Sequence, residues 1–312
     1  MSSFELQTPV VLILFKRPDT TKKVFEAISQ AKPPKLLVIA DGPRVDRPGE
    51  AERCATTRAI IDQVDWDCEV LKNYSEINLG CKKRVSSGLN WVFEQVEEAI
   101  ILEDDCLPNL TFFRFCEELL EYYRHDCRIG VISGTNLQFG RQRTDYSYYF
   151  SRYNHCWGWA SWRRAWQCFD LEMKLWSVIR DGHWLEDILE DRQAVKFWTE
   201  IYQANYDGNI NSWAYPWTFS CWTQNLLSIL PNVNLISNIG FGNESTNTNP
   251  TISKFSNIPT ESISFPLKHP PYVIRDTKAD RYTQKTHHEI SLWRRVRSKY
   301  NKILNKFRKQ LK

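Results

Sequence analysis

Continuous apolar runs alternate with amphipathic stretches along roughly the first 135 residues of the chain. Most of the runs contain few polar positions, which is typical of strands buried on both faces of a parallel sheet. The stretches between them place apolar residues at helical spacing. The alternation predicts a doubly wound α/β sheet with right-handed crossovers. The predicted strands cover 9–15, 35–43, 68–74, 99–105 and 128–134, and the predicted helices cover 16–31 (with Asp19 or Thr20 as N-cap), 50–64, 82–96 and 110–125.

The pattern changes after about residue 140, where tryptophan becomes frequent. Ten of the 13 tryptophans lie between Trp157 and Trp222, in segments such as HCWGWASWRRAW and NSWAYPWTFSCW. Rings at this density pack a core, and a few of them can also stack on the apolar face of a sugar. We predict short strands in this half, a helix at about 183–206, an apolar segment at 226–242 and a polar loop at 242–260.

Charge is unevenly distributed along the chain, whose formal net charge is +4. Residues 291–312 hold nine of the 41 basic residues and none of the 37 acidic ones, which leaves 32 basic and 37 acidic residues elsewhere. An acidic body argues against binding of nucleic acid, which requires a basic face. The same segment spaces apolar residues as a basic amphipathic helix does. Such a helix could pack on the domain with its charges solvated, or lie on an anionic membrane surface.

Cysteine usage and the N-terminus predict a cytoplasmic protein. The nine cysteines form no C-x-x-C pair and no zinc-like spacing, and several lie in apolar segments, as buried reduced thiols do. The first residues, MSSFELQTPV, lack the charged and apolar regions of a signal peptide. No stretch approaches the roughly 20 apolar residues that span a bilayer. The basic segment 291–312 adds the alternative of peripheral attachment at the inner face of the membrane.

Polar side chains follow the predicted strands, at the edge where parallel sheets bind their ligands. Arg17 follows the first strand, Asp41 the second, and the triplet Glu103, Asp104 and Asp105 the fourth. Three adjacent carboxylates are tolerated best when a divalent cation neutralises them, and their hard oxygens suit Mn²⁺ or Mg²⁺, which bridge diphosphate oxygens. Arg17 lies at a helix entrance, where an anion is favoured. Asp41 could equally be the turn residue before a glycine.

Three segments together resemble the nucleotide-sugar half of a GT-A glycosyltransferase. They are VVLILFKRPDTTKKVFEAI, LLVIADGP and NLGCKKRVSSGLNWVFEQVEEAIILEDDCLPNLTFFRF. They are similar to the N-acetylglucosaminyltransferase I type and its bacterial, haemolytic-protein-like relatives, in which an acidic triplet before a proline and a Phe-Phe helix is the variant DxD motif. The resemblance covers residues 9–135 well and 150–250 loosely, and 270–312 fall outside it.

The resemblance implies a GT-A, Rossmann-like fold with a doubly wound mixed sheet, a Trp-rich acceptor subdomain and a basic C-terminal helix. It assigns a nucleotide-sugar-binding half to 1–140, an acceptor-binding half of the same domain to 141–265, and an extension to 266–312. The implied activity is metal-dependent transfer of a hexose or N-acetylhexosamine from a UDP-sugar to a hydroxyl of a glycan or lipid-linked acceptor, with inversion.

The site residues of the family carry over onto matching positions. Asp105 matches the direct ligand of Mn²⁺ or Mg²⁺. Glu103 and Asp104 match residues that reach the donor sugar and ribose or hold metal-bound waters. Arg17 matches a cation near the donor phosphates, and Asp41 a carboxylate that accepts a hydrogen bond from uracil.

Two further positions match less closely. Arg84 falls near a residue that packs against the nucleotide base, although the family has an imidazole there. The segment Trp157–Gly158–Trp159 matches the place where the family builds its acceptor pocket. Both assignments are expectations that follow from the resemblance.

The catalytic base departs from the family pattern. Inverting transfer needs a carboxylate to deprotonate the acceptor hydroxyl, and the family has an aspartate just before a tryptophan. NINSW places Asn211 and Ser212 there, and neither side chain is a base at neutral pH. Asp207 and Glu244 are the nearest candidates. The base has moved, the alignment is off by a few residues, or this chain has lost activity.

Two alternatives to a glycosyltransferase stay open. A catalytically silent sugar- or lipid-binding relative would retain the aromatic residues and lose the base. A sugar nucleotidyltransferase uses a similar sheet and metal, but its first strand leads into a glycine-rich loop, and FKRPDTT contains no glycine. The histidines of THHEISLW point to different faces of a helix, so we predict that His287 and His288 are solvated rather than metal ligands.

Overall fold

The computed structural model describes residues 4–241 and 254–289. In the first half of the chain the predicted strands and helices are confirmed, with ends that shift by a few residues, and one short strand, β5, was not predicted. The elements are β1 (Val10–Leu14), α1 (Pro18–Ala31), β2 (Lys35–Ala40), α2 (Glu50–Ala59), β3 (Glu69–Tyr74), α3 (Gly80–Gln95), β4 (Glu98–Glu103), β5 (Cys106–Pro108), α4 (Thr111–Tyr122) and β6 (Ile129–Ser133).

Shorter elements follow in the second half. They are β7 (Tyr148–Ser151), β8 (Trp159–Trp162), α5 (Arg163–Trp166), α6 (Trp176–Asp181), α7 (Leu185–Leu189), α8 (Arg192–Tyr206), α9 (Ala214–Thr223), β9 (Leu227–Pro231), β10 (Ile236–Asn238), α10 (Thr277–Thr283) and a π-helical turn (Gln284–Glu289). The strand β10 pairs antiparallel with β5, next to the acidic triplet.

Eight strands form one sheet in the order β3-β2-β1-β4-β8-β6-β9-β7. The strand β1 is parallel to β2 and β4, and β2 is parallel to β3, so their carboxyl ends lie at one edge. The strand β8 runs antiparallel to its neighbours β4 and β6, and β7 runs antiparallel to β9. This is the mixed, Rossmann-like α/β fold that the sequence predicts.

Successive residues of the central strands face opposite sides of the sheet, and both sides are buried. On one side Leu12 lies in a cluster with Phe25 of α1 and Phe113 of α4. On the other side Ile13 lies in a cluster with Leu89 of α3 and with residues of α8 and α9. Burial on both faces explains why β1 and β2 are uninterrupted apolar runs.

Most of the tryptophans pack the core. Eight of the ten between residues 157 and 222 are buried, whereas Trp184 is 53% exposed. Trp157 is half-buried at the ligand edge of the sheet. All nine cysteines are free, and Cys54, Cys106, Cys116 and Cys221 are buried.

Three local predictions are wrong, each for a physical reason. The helix α1 begins at Pro18 with Arg17 as its N-cap, because the fixed φ of proline suits the first helical position. The helix predicted at 183–206 breaks at Glu190, whose φ of 60° ends α7. The helix α9 was not predicted, since it is buried around most of its circumference and lacks an amphipathic period.

The described part of the C-terminal extension folds back onto the sheet. Asp280 of α10 accepts hydrogen bonds from Ser151 Oγ at 2.5 Å and from Arg152 Nε at 3.2 Å, beside β7. Glu244 and the basic helix predicted at 291–312 lie outside the described residues. In the ranges 4–241 and 254–289, no helix has both the length and the apolar character needed to cross a membrane.

Candidate active site

A cleft of about 300 Å³ opens at the carboxyl edge of the sheet, beside the ends of β1, β2 and β4. The start of α3 and the chain after β10 complete its walls. The polar residues that follow these strands lie at this edge, so the residues predicted to bind the donor and the metal are close together here. All six line the cleft: Arg17, Asp41, Arg84, Glu103, Asp104 and Asp105.

Arg17 pairs with the acidic triplet inside the cleft. Its Nη1 lies 2.5 Å from Asp105 Oδ2 and 3.5 Å from Asp104 Oδ1. The backbone N–H of Phe15 donates to the other oxygen of Asp104 at 3.2 Å. Burial alone would lower the pKa of Arg17, but Asp104 and Asp105 raise it above its usual value. Arg17 is therefore a fixed positive charge at the end of β1.

The triplet nevertheless carries more negative charge than Arg17 neutralises. Burial raises the pKa of Glu103, and Asp105 and Asp104 raise it further against the opposing effect of Arg17. Burial and Asp105 likewise raise the pKa of Asp104. Burial is the first cause of both shifts, and a positive charge added beside these carboxyl groups would oppose it.

The oxygens of the triplet fit a hard divalent cation. Mn²⁺ and Mg²⁺ prefer carboxylate ligands, and either would neutralise the excess charge. Among the residues that the structure describes, no three His, Cys, Asp or Glu side chains form a group that could hold a metal by themselves. A metal ion held by Asp105 stays a prediction, and it would need oxygen ligands from phosphate or water besides the carboxylates.

Asp41 fastens the loop after β2 to the start of α3. Its Oδ1 accepts hydrogen bonds from the N–H groups of Gly42 at 2.9 Å and Leu79 at 2.8 Å. Its Oδ2 accepts from Asn78 Nδ2 and from the N–H of Gly80, both at 3.0 Å. This geometry fits the turn residue that the sequence offered as an alternative, and contact with uracil stays a prediction.

Arg84 is buried beneath the cleft and joins the ends of two strands. Its Nε donates to the carbonyl of Ala40 at 3.0 Å, and its Nη2 donates to the carbonyl of Asn73 at 2.5 Å. Burial lowers the pKa of its guanidinium. Arg84 therefore holds the floor of the cleft, and packing against a nucleotide base stays a prediction.

The sequence analysis missed Glu50, which fixes two cations beside the cleft. Its Oε2 lies 2.6 Å from Lys16 Nζ, and its Oε1 accepts from the N–H and Nε of Arg44, both at 2.9 Å. Both cations lie near the ring of Phe15, at 5.4 and 5.9 Å from its centroid. The available signal was a carboxylate at the first position of a helix, directly after Gly49.

Glu50→Gln is expected to destabilise the protein in a pH-dependent way. Hydrogen bonds from Arg44 and Lys16 lower the pKa of Glu50 from 4.5 to about 2. Because the pKa of Glu50 is lower in the folded state, its ionised carboxylate stabilises the fold above pH 4.5. This contribution to the free energy of unfolding is lost as the pH falls from 4.5 to 2. We expect a loss of about 3 kcal/mol at pH 7 and less than half of it near pH 3, measured by urea unfolding. Glu52→Gln, an exposed position on the same helix, should change stability by under about 0.5 kcal/mol; an equal effect at both pH values would contradict the expectation.

A second, larger cleft of about 650 Å³ adjoins the first. The two share four lining residues: Cys81, Glu103, Trp157 and Asn211. Segment 209–218, Trp198 of α8 and the π-helical turn form its other walls. Of the residues predicted for an acceptor pocket, Trp157 lines both clefts, whereas Trp159 is 1% exposed and belongs to the core.

Asn211, at the position of the family base, and the candidate Asp207 lie in different surroundings. Asn211 lines both clefts, and its Oδ1 accepts a hydrogen bond from the N–H of Lys82 at 3.1 Å, near the start of α3. Asp207 is exposed at the end of α8, accepts from Gln203 Nε2 at 2.8 Å and is absent from the lining of either cleft. Glu103 is the one carboxylate that lines the second cleft within the described residues.

The prediction that His287 and His288 are solvated holds only in part, since both are half-buried. Both line the second cleft, with ring centroids 4.6 Å apart. The π-helical turn after α10 places the ring of His287 with its centroid 6.2 Å from that of Trp157, and the ring of His288 with its centroid 4.8 Å from that of Trp198. Burial lowers the pKa of His287 to about 4 and keeps His288 well below its usual pKa.

Comparisons with known proteins give distant structural likeness alone. No protein-family model matches the chain, and no curated protein matches it. Among solved structures, it is similar to a 4-diphosphocytidyl-2C-methyl-D-erythritol synthase from Anaerococcus prevotii, with a TM-score of 0.31 and 10% sequence identity. The likeness covers 63% of this chain and 83% of the other. At this distance the fold assignment rests on the strand pairing itself.

Proposed function

We propose that the protein is a metal-dependent glycosyltransferase that transfers a sugar from a UDP-sugar to an acceptor hydroxyl. The observation that supports it is the pair of adjoining clefts at the ligand edge of the sheet. One is polar and charged, the other is aromatic and contains no lysine or arginine among its described lining residues, and Glu103 lines both. Two substrates bound in this way would meet at the boundary between the clefts, as group transfer requires.

The first cleft has the chemistry of a donor site. Asp105 would hold Mn²⁺ or Mg²⁺, and Glu103 and Asp104 would face the donor sugar and ribose. Arg17, held against Asp105 at 2.5 Å, would pair with the donor phosphates. When bound, the cation stabilises the negative charge that develops on the leaving diphosphate. Asp41 and Arg84 fix the loop ends and the floor on which the nucleotide would lie.

The acceptor would be a glycan or a lipid-linked sugar in the second cleft, attacking with inversion in a single displacement. A carboxylate must take the hydroxyl proton. Because Asp207 is exposed outside both clefts, we assign this role to Glu244, three residues after Phe241 of the first cleft. The basic segment 291–312 would bring the enzyme to an anionic membrane surface.

A catalytically silent sugar-binding protein is the second candidate, and one observation favours it. Asn211 occupies the position of the family base, and its Oδ1 is engaged by the N–H of Lys82 at 3.1 Å. In such a protein the second cleft would bind a sugar that is never transferred. Donor turnover separates the two proposals.

Thermal denaturation with a set of nucleotide sugars tests the proposed function. A donor at 100 times its Kd stabilises the fold by roughly 2.7 kcal/mol, which corresponds to a shift of several degrees. We expect such a shift with UDP-sugars, larger with Mn²⁺ than with EDTA, followed by UDP release in an activity assay. Binding without turnover on any acceptor would favour the silent protein. Release of pyrophosphate from a nucleoside triphosphate would identify a nucleotidyltransferase instead.

A further inference from the structure

The second cleft contains buried nitrogen atoms that have no hydrogen-bond partner among the described residues. They are Asn154 Nδ2, His155 Nε2 and His287 Nδ1. Asn154 and His155 are only 8% and 7% exposed, and all three residues line the cleft. A buried polar group without a partner costs about 1–3 kcal/mol. Three of them in one cleft indicate a ligand that supplies the missing hydrogen bonds.

The neighbouring contacts hold these nitrogens in place. The Oδ1 of Asn154 accepts from Thr218 Oγ1 at 2.7 Å, so its amide nitrogen is the group left for a ligand. The backbone carbonyl of His155 accepts from Ser133 Oγ at 2.9 Å, which anchors this segment to the end of β6. The imidazole of His155 lies 6.0 Å from that of His287, edge to face. The polar groups are thus arranged before any ligand binds.

The cleft has little net charge to offer a ligand. No lysine or arginine is among its described lining residues, and Glu103, at the boundary with the first cleft, is their one acid. Burial lowers the pKa of His155 to about 3 and that of His287 to about 4, so both are uncharged at neutral pH. An anionic ligand would find no lysine or arginine in the lining, although the charge of Lys254 reaches His287, and it would lie near Glu103.

Aromatic rings complete the lining. Trp157, Trp198, Trp213 and Tyr215 all border the cleft. Trp157 is half-buried and packs edge to face on Phe241, with centroids 5.7 Å apart. An indole offers an apolar face that suits the C–H face of a pyranose, while the nitrogens suit its hydroxyls.

We propose that the second cleft binds an uncharged, hydroxyl-rich sugar as the acceptor, with its ring against Trp157 and its hydroxyls bonded to Asn154 and His155. That this sugar is an acceptor rests on the proposed function. That the second cleft binds a sugar does not depend on it. Asn154 and His155 are specificity-determining residues in this view, because their unpaired nitrogens require a ligand that places hydrogen-bonding groups opposite them.

Binding of simple glycosides tests this inference. The probes are the neutral methyl glycosides of glucose, galactose and N-acetylglucosamine, compared with charged methyl glucuronide and methyl glucosaminide. Saturation-transfer NMR and tryptophan fluorescence measure their Kd values. At least one neutral glycoside should bind about tenfold or more tighter than anionic methyl glucuronide, the difference expected from one missing or mispaired polar contact; cationic methyl glucosaminide, which Glu103 would attract, is the control for the sign of the charge. His155→Phe and Asn154→Ala should each weaken it about tenfold, and His155→Gln should restore most of the affinity.

Binding of UDP with Mn²⁺ in the first cleft serves as the internal check that each variant is folded. Equal binding of anionic and neutral glycosides, no glycoside binding at all, or unchanged affinity in both loss variants would overturn the inference. If neutral glycosides bind as expected but no sugar is transferred, the sugar-binding site is supported and the proposed glycosyltransferase activity is contradicted. Transfer to an acidic acceptor that is unaffected by His155→Phe would reject the inference alone.

Discussion

Asp105→Asn is expected to lower the rate of sugar transfer about 10³-fold and to abolish the effect of Mn²⁺ on donor binding. Asparagine keeps the shape of the side chain but removes the charge that would hold the cation. The remaining acids, Glu103 and Asp104, stay buried in the variant, and burial is the first cause of their raised pKa values, so we expect them to be poor substitutes for Asp105. Initial rates and calorimetric titration of the donor, with Mn²⁺ and with EDTA, measure both effects.

Arg17→Gln provides the matched comparison. Arg17 contacts the same carboxylate, at 2.5 Å, but would bind phosphate rather than metal. Its loss should weaken donor binding while Mn²⁺ still strengthens it, whereas Asp105→Asn should remove the metal effect itself. Both variants should keep a cooperative thermal transition, because the core beneath the cleft is untouched. If donor binding by Asp105→Asn still responds to Mn²⁺, the assignment of Asp105 as metal ligand is wrong.

The first half of the fold could be predicted from the sequence because its strands are buried on both faces. The strands β1, β2 and β4 are apolar runs whose period cannot be mistaken for that of an exposed element. The strands β7 and β8 are four residues long, and their direction depends on distant partners. A segment as short as WASW carries no local information about pairing with both β4 and β6.

In the candidate site, too, the features set by neighbouring residues in the sequence could be predicted, whereas those set by distant residues could not. The acidic triplet was predictable, since its position at the end of β4 follows from the apolar residues before it. The hydrogen bonds of Asp41 were not, because they join residues 38 and 39 positions apart. The surroundings of His287 depend on a π-helical turn and on the distant rings of His155 and Trp157, which no local pattern encodes.

Glu244→Gln and Asp207→Asn form the second test, because the two acids are the candidates for the base. Glu244→Gln is expected to lower the rate of transfer by about 10²–10⁴-fold with donor affinity unchanged, the range typical for loss of a general base. Asp207→Asn should leave the rate within about twofold of the parent, since its carboxylate accepts from Gln203 at the exposed end of α8. Single-turnover rates and donor Kd values, measured on both variants, separate chemistry from binding.

The pH profile adds a readout that a merely structural role would not move. Loss of a base removes the acidic limb of the rate profile, whereas a folding defect lowers the rate at every pH alike. Glu244→Asp should retain part of the activity, because a shorter carboxylate can still accept a proton. If Glu244→Gln transfers sugar at the parental rate and Asp207→Asn does not, the base lies at the end of α8. If both variants retain full activity, the base lies elsewhere in the chain, and Glu103 at the boundary of the two clefts becomes the acid to replace next.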